Sequence, residues 1–203
     1  MKKEDILLVV ALKSESNGLL EKIGIDILYT GVGKINATYF LTKKLLLLKS
    51  NNKTPKYVVN LGSCGSNRFH RGELVACNEF IQRDMDATAF GYKLGETPSE
   101  ANMDMTLKHK KIVNDLRYGV CGSGDNFAIK PCEIEEVSLV DMEAYGLAKV
   151  CLLENIDFIS IKYVTDGLNE NGSEEWKKEL KGASETLYEY FINSLAKTLE
   201  IEK

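Results

Sequence analysis

The chain has 203 residues, enough for one domain with a sizeable core and too few for two ordinary ones. Hydrophobic residues make up 44% and charged residues 28%, a globular balance that excludes a disordered or fibrous chain. A formal charge of −4 argues against a binder of nucleic acid or anionic membrane, and two histidines leave almost no basis for a His-rich metal site.

Residues 6–12 form a short apolar run that passes straight into Lys13-Ser-Glu15. It lacks a cleavage-site pattern, so it reads as a strand and not as a signal peptide or membrane span. A second strand is expected at 27–30, then a helix at 34–49 with Ala37, Phe40, Leu41, Leu45 and Leu48 on one face. Strands follow at 57–61 and 73–82, then at 118–121 and 138–140. A helix at 142–154 carries Ala144, Leu147, Ala148, Cys151 and Leu152 at helical spacing, and a strand spans 158–165. The last helix is expected to start near Ser173 as N-cap, with Glu174 and Glu175 in its first turn. Its apolar stripe is Trp176, Leu180, Ala183, Leu187, Phe191 and Leu195. Alternating strands and helices, with near-continuous apolar strands, predict an α/β single domain over residues 1–203. Its central sheet would be mixed, mostly parallel and flanked by helices. The irregular stretches 83–104 and 122–136 have the length of binding loops.

The five cysteines, Cys64, Cys77, Cys121, Cys132 and Cys151, are odd in number and show no Cys-x-x-Cys spacing. Buried reduced thiols in a cytoplasmic protein are the expectation. Both histidines, His70 and His109, lie in polar stretches of sequence.

Three glycine clusters follow strands: Gly31-Val-Gly33, Gly62-Ser-Cys-Gly65 and Gly122-Ser-Gly124. None is a Gly-x-Gly-x-x-Gly or a phosphate loop, and a ligand-free turn explains any one of them. Together they suggest a site where the strands end. Acidic residues also mark strand ends: Glu15, Asp141, Glu143 and Asp166. Each alone is readily an N-cap or a solvated charge. Convergence of Glu15, Glu143 and Asp166 at one sheet edge would suit acid–base work on a polar substrate.

Seven segments, in order, carry a resemblance. They are Ala11-Leu-Lys-Ser-Glu15, Thr30-Gly-Val-Gly-Lys-Ile-Asn-Ala37, Val59-Asn-Leu-Gly-Ser-Cys-Gly65 and Asp84-Met-Asp-Ala-Thr-Ala-Phe-Gly-Tyr92, then Ser123-Gly-Asp-Asn-Phe127, Val140-Asp-Met-Glu-Ala144 and Val164-Thr-Asp166. The chain resembles the methylthioadenosine/S-adenosylhomocysteine nucleosidases of the nucleoside phosphorylase superfamily. The resemblance implies that Asp166 protonates N7 of a purine, with Thr165 orienting it. It implies that Glu15 activates the attacking water and that Glu143, beside Met142, binds sugar hydroxyls. Ser63 would lie near the water and ribose, Phe127 would stack on the base, and the Ala128 backbone would read the purine edge. Val32 joins the substrate-binding set. Phe90, Tyr92 and Pro98 match residues that shape the pocket for the 5′ substituent from a neighbouring subunit, which implies a homodimer. Trp176 stands where the family has a phenylalanine closing that pocket. The implied ligand is a small purine nucleoside, with no cofactor, metal, nucleic-acid or membrane partner.

Glycosidic cleavage passes through an oxocarbenium-like state, so it needs nearby negative charge and a protonated leaving group. Asp166 must then hold its proton near neutral pH, which burial would favour. The related phosphorylases place arginines for phosphate at the positions of Asn60 and the loop containing Glu15, and neither arginine is present. Hydrolysis is therefore expected. The alternatives are phosphorolysis and a non-catalytic nucleoside-binding relative. The chain departs from the family in a short 16–30 segment that suggests a more open pocket. Lys162 replaces an arginine that helps set the catalytic glutamate, and Asp141 replaces a glutamate. These departures leave the nucleoside undefined.

Overall fold

The structure is a computed structural model and describes residues 1–98 and 105–202. Strand β1 (Ile6–Val10) pairs in parallel with β2 (Asp26–Tyr29) and with β3 (Tyr57–Gly65). β3 runs parallel to β8 (Asp157–Asp166), which in turn pairs antiparallel with β4 (Leu74–Gln82). β4 pairs antiparallel with β5 (Thr106–Lys108) and parallel with β6 (Arg117–Ser123). β6 runs parallel to β7 (Leu139–Asp141), and β7 returns to β3 by an antiparallel contact at Gly65 and Val140. The sheet is mixed and mostly parallel, as expected. The circuit β3–β8–β4–β6–β7 also closes on itself, which strand periodicity does not reveal.

Helices cover both faces. Every residue of β1 is buried. Leu7 and Val9 pack with Ala37, Leu41 and Leu45 of α2 (Lys34–Ser50) and with Leu147 and Cys151 of α3 (Ala144–Leu153). Ile6, Leu8 and Val10 face Leu187 of α4 (Gly172–Tyr190) and Phe191 and Leu195 of its π-helical continuation. Two covered faces explain why the strand reads as a continuous apolar run. Burial of each such side chain contributes roughly 1.5–3 kcal/mol.

Several expected boundaries move for physical reasons. The first strand stops at Val10, because residues from Lys13 to Ser16 turn into the short helix α1, where the Leu12 amide donates to Glu15 Oε2 at 3.1 Å. The last helix starts at Gly172 after Asn171, not after Ser173. A Cβ at residue 172 would lie 3.3 Å from both Asp166 Oδ1 and Phe127 Cε1, so glycine lets the helix begin against those groups. Strand β5 was not expected; its three residues bury only Leu107 and are too few to show a period. Phe40 leaves the buried face of α2 and is exposed.

His109 is not in polar surroundings. Its ring packs edge-on to Phe158 and Phe80, its Nε2 bonds the Ala148 carbonyl at 3.0 Å, and burial lowers its pKa. All five cysteines are free, and all but Cys132 are buried. Among the described residues no helix is long and apolar enough to cross a membrane. Of the irregular stretch 83–104, residues 99–104 lie outside the described residues.

Candidate active site

The ends of β3, β7 and β8 and the segments that follow β1, β2, β4 and β6 line a cavity of about 210 Å³. Gly62-Ser-Cys-Gly65, expected to follow a strand as a turn, forms the last residues of β3 instead, and Gly122 and Ser123 end β6. Glu15, Val32, Ser63, Phe127, Ala128, Met142, Glu143, Lys162, Thr165, Asp166 and Trp176 all line it. Phe90, Tyr92 and Pro98 do not: Phe90 is 83% exposed and the other two are half-buried.

Glu15 is buried at the end of β1 in the single helical turn α1. Its Oε1 accepts from the Ser63 amide (3.1 Å) and the Ser63 hydroxyl (2.7 Å), and its Oε2 from the Leu12 amide. A carboxylate offers about four acceptor sites, so three donors fix its orientation and leave one direction for a water. Gly62 separates Glu15 from Lys162: a Cβ there would lie 3.6 Å from Glu15 Oε1 and 3.5 Å from Lys162 Nζ.

Asp166 ends β8 and is 3% exposed. Thr165 Oγ1 lies 3.0 Å from its Oδ2, and the Leu168 amide donates to Oδ1 at 3.2 Å. Burial raises the Asp166 pKa, against the two hydrogen bonds. Thr165 Oγ1 also lies 3.1 Å from the Cys64 carbonyl. One hydroxyl proton cannot serve both acceptors. When it goes to Cys64, a proton on Asp166 Oδ2 completes the second bond, so the site can store the acid form.

Glu143 precedes α3, and its Oε1 accepts from the Gly33 amide at 2.8 Å. Gly33 has φ of 96°, a conformation glycine adopts without strain. Burial and the charge of Asp141 push the Glu143 pKa up to about 7, opposed by Lys162 and the Gly33 bond. Lys162 Nζ lies 2.8 Å from Asp141 Oδ2, and both side chains are almost fully buried. Asp141 also accepts from Ser123 Oγ (2.5 Å) and the Ala144 amide (3.0 Å). Burial disfavours both charges, but the pairing wins: the Asp141 pKa is lowered and that of Lys162 raised.

The loop bearing Phe127 and Ala128 is pinned at its base. Asp125 accepts from the Lys34 amide (2.7 Å) and pairs with Lys34 Nζ (3.0 Å), and Arg83 Nη2 donates to the Asn126 carbonyl at 2.7 Å. Arg83 lines the cavity and its buried Nε has no partner. Arg83 is not legible in the sequence, since a lone arginine after a strand carries no motif. Neither is Leu168, a cavity residue at φ of 56°. The short 16–30 segment folds on itself through Tyr29, whose hydroxyl lies 2.6 Å from Glu21 Oε1 and 2.8 Å from Ser16 Oγ.

Residues 17–199 match the phosphorylase superfamily. A 5′-methylthioadenosine/S-adenosylhomocysteine nucleosidase of Geobacillus sp. is 30% identical over 177 residues, covering 78% of this chain and 74% of that protein. The chain belongs to this nucleosidase family within the phosphorylase superfamily. The nucleosidase fold recurs in a Helicobacter pylori nucleosidase mutant with 5′-methylthioadenosine in its active site. That match has a TM-score of 0.83 and 19% identity, over 96% of this chain and 97% of that one. A futalosine hydrolase of the same organism gives 0.81 and 20%, over 98% and 97%. At such identities these two likenesses show the nucleosidase fold and no more. Nucleosidases are N-glycosyl hydrolases, and this family member has carboxylates from three strand ends around one cavity.

Proposed function

We propose that the chain hydrolyses the N-glycosidic bond of an adenine nucleoside such as 5′-methylthioadenosine or S-adenosylhomocysteine. The observation that carries this reading is the arrangement of the acids on one small cavity. Asp166 is buried and inclined to hold a proton, while Glu15 is oriented by three donors with an acceptor site to spare.

In this mechanism the base stacks against Phe127, with the Ala128 backbone at its edge. Asp166, oriented by Thr165, gives its proton to N7, and the purine departs as a neutral base. Met142 and Val32 flank the sugar, and Glu143 holds its hydroxyls. Negative charge on Glu143 and Glu15 stabilises the oxocarbenium-like sugar. Glu15 takes a proton from the attacking water, with Ser63 beside it. Lys162, paired with Asp141, sets the field around Glu143. Replacing Asp166 by Asn keeps the shape and removes the acidic proton. The expected result is loss of adenine release with the fold intact by circular dichroism; full activity in the variant would contradict the mechanism.

Arg83 keeps phosphorolysis as the second reading, because a guanidinium on the cavity wall with a donor to spare is a group that phosphate would seek. The chemistry at Glu15 favours water, since a carboxylate at the attacking position repels phosphate.

The homodimer belongs to the same proposal. Phe90 is 83% exposed, and α2 presents Ile35, Tyr39 and Leu46 to solvent in the single chain. Aromatic and aliphatic side chains exposed together suit a partner surface. Phe90, Tyr92 and Pro98 would then complete the 5′ end of the partner's cavity.

A further inference from the structure

The chain has a single tryptophan, and its polar atom is aimed at Ser63, the residue that in turn bonds Glu15. Trp176 lies in the first turns of α4, half-buried, with its ring on the cavity wall. Its Nε1–H donates to Ser63 Oγ at 2.9 Å, and Ser63 Oγ donates to Glu15 Oε1 at 2.7 Å. A phenylalanine would fill the same wall without making the first bond. Indole nitrogen can only donate, so it fills an acceptor position on Ser63 and cannot receive the serine's proton. Ser63 has one proton, and the chain of bonds directs it to Glu15. Without the indole, the hydroxyl is free to turn toward the cavity or the nucleophilic water.

We propose that Trp176 is a positioning residue for the hydrolytic step, fixing the Ser63 hydroxyl as a donor to Glu15 and so holding that carboxylate in line for water. The proposal rests on the hydrolase reading above. It assigns α4 a catalytic consequence: seating its first turns against β3 aligns the base. It also separates two duties of Trp176, a ring that forms the wall and an N–H that orders the nucleophile's partner.

The test has one arm that needs no turnover. In ¹⁵N-labelled protein the only indole N–H resonance reports this bond directly. Ser63→Ala is expected to shift that resonance and accelerate its exchange with solvent; an unchanged resonance would overturn the proposal. The kinetic arm uses Trp176→Phe, Ser63→Ala and the double variant. Loss of one positioning hydrogen bond is expected to lower kcat about tenfold with KM changed less than about twofold. The double variant is expected to be no slower than Ser63→Ala alone, because both substitutions break one relay. Independent, multiplying effects, or a rise in KM with kcat unchanged, would make Trp176 a wall residue only and overturn the proposal. Should Trp176→Phe fail to fold, Ser63→Ala read by resonance and by kcat decides alone. Wild type that cleaves no nucleoside contradicts the hydrolase reading itself. Active wild type with an unaffected Trp176→Phe contradicts only the positioning role.

Discussion

Glu143 shows how local electrostatics links stability to function at the scale of one residue. Its pKa rises from 4.5 to about 7, mainly through burial and then through Asp141. A raised folded-state pKa means that the native protein holds a proton the unfolded chain has lost. The associated stability is complete below about pH 4.5 and is lost as pH rises toward about 7, on the order of a few kcal/mol. Glu143→Gln cannot ionise. Urea unfolding across this range should show wild type losing stability relative to the variant as pH rises; parallel profiles would refute the linkage. In the proposed mechanism the same ionisation would supply the charge that stabilises the cationic sugar. Thus kcat/KM is expected to rise as Glu143 deprotonates, and Glu143→Gln should remove that rise from the pH–rate profile. The residues that form this site were legible unequally. Glu15, Glu143 and Asp166 stood at strand ends in recognisable segments. Arg83 and Leu168 did not, because their relevance comes from where the closed sheet brings them.

Strand β8 is the element that assembles the site. Alternate residues point to opposite sides, so Ile159 and Ile161 enter the core beneath α4 while Lys162 and Asp166 occupy the other row. A buried lysine in an apolar strand is costly unless paired, and Asp141 from β7 supplies the pair at 2.8 Å. Lys162→Met leaves Asp141 buried without its counter-charge. The expected cost is about 3–5 kcal/mol, read as a lower denaturation midpoint. The double variant Lys162→Met with Asp141→Leu should recover much of that loss; no recovery would mean that the pair is not the cause. Gly65 sets a second limit on this element. A Cβ there would fall 2.4 Å from Leu168 Cδ2 and 2.7 Å from Asp166 Oδ1, so Gly65→Ala should displace Asp166, the proposed proton donor, and lower kcat. Strand identities were legible because two-sided burial writes long apolar runs. Their ends were less so, because Glu15 turns the chain early and β5 is too short to show a pattern. The crossing of β8 from β3 to β4 is a long-range pairing that no local window contains.

On the scale of the whole molecule, the single chain presents large apolar groups to solvent. Ile35, Tyr39, Leu46 and Phe90 are all exposed, and Phe90 lies in the segment expected to reach a neighbouring subunit. Sedimentation equilibrium should give twice the 22.7 kDa chain mass, and Phe90→Asp should weaken the dimer and raise KM for nucleosides with bulky 5′ groups. A monomer with full activity would contradict that arrangement. The single α/β domain was readable from alternation of strands and helices, and the family from its ordered segments. The choice of nucleoside was not, since in the proposed dimer the 5′ pocket depends on surfaces that would meet only when two chains do. The reaction type turns on a contrast between residues: Glu15 where phosphate would be repelled, Asn60 where an arginine would hold it, and Arg83 on the cavity wall. The decisive measurement is chromatographic release of free base from 5′-methylthioadenosine, in phosphate-free buffer and again with added phosphate. Equal rates, with free sugar as the second product, are predicted; release that requires phosphate and yields a sugar 1-phosphate would contradict hydrolysis.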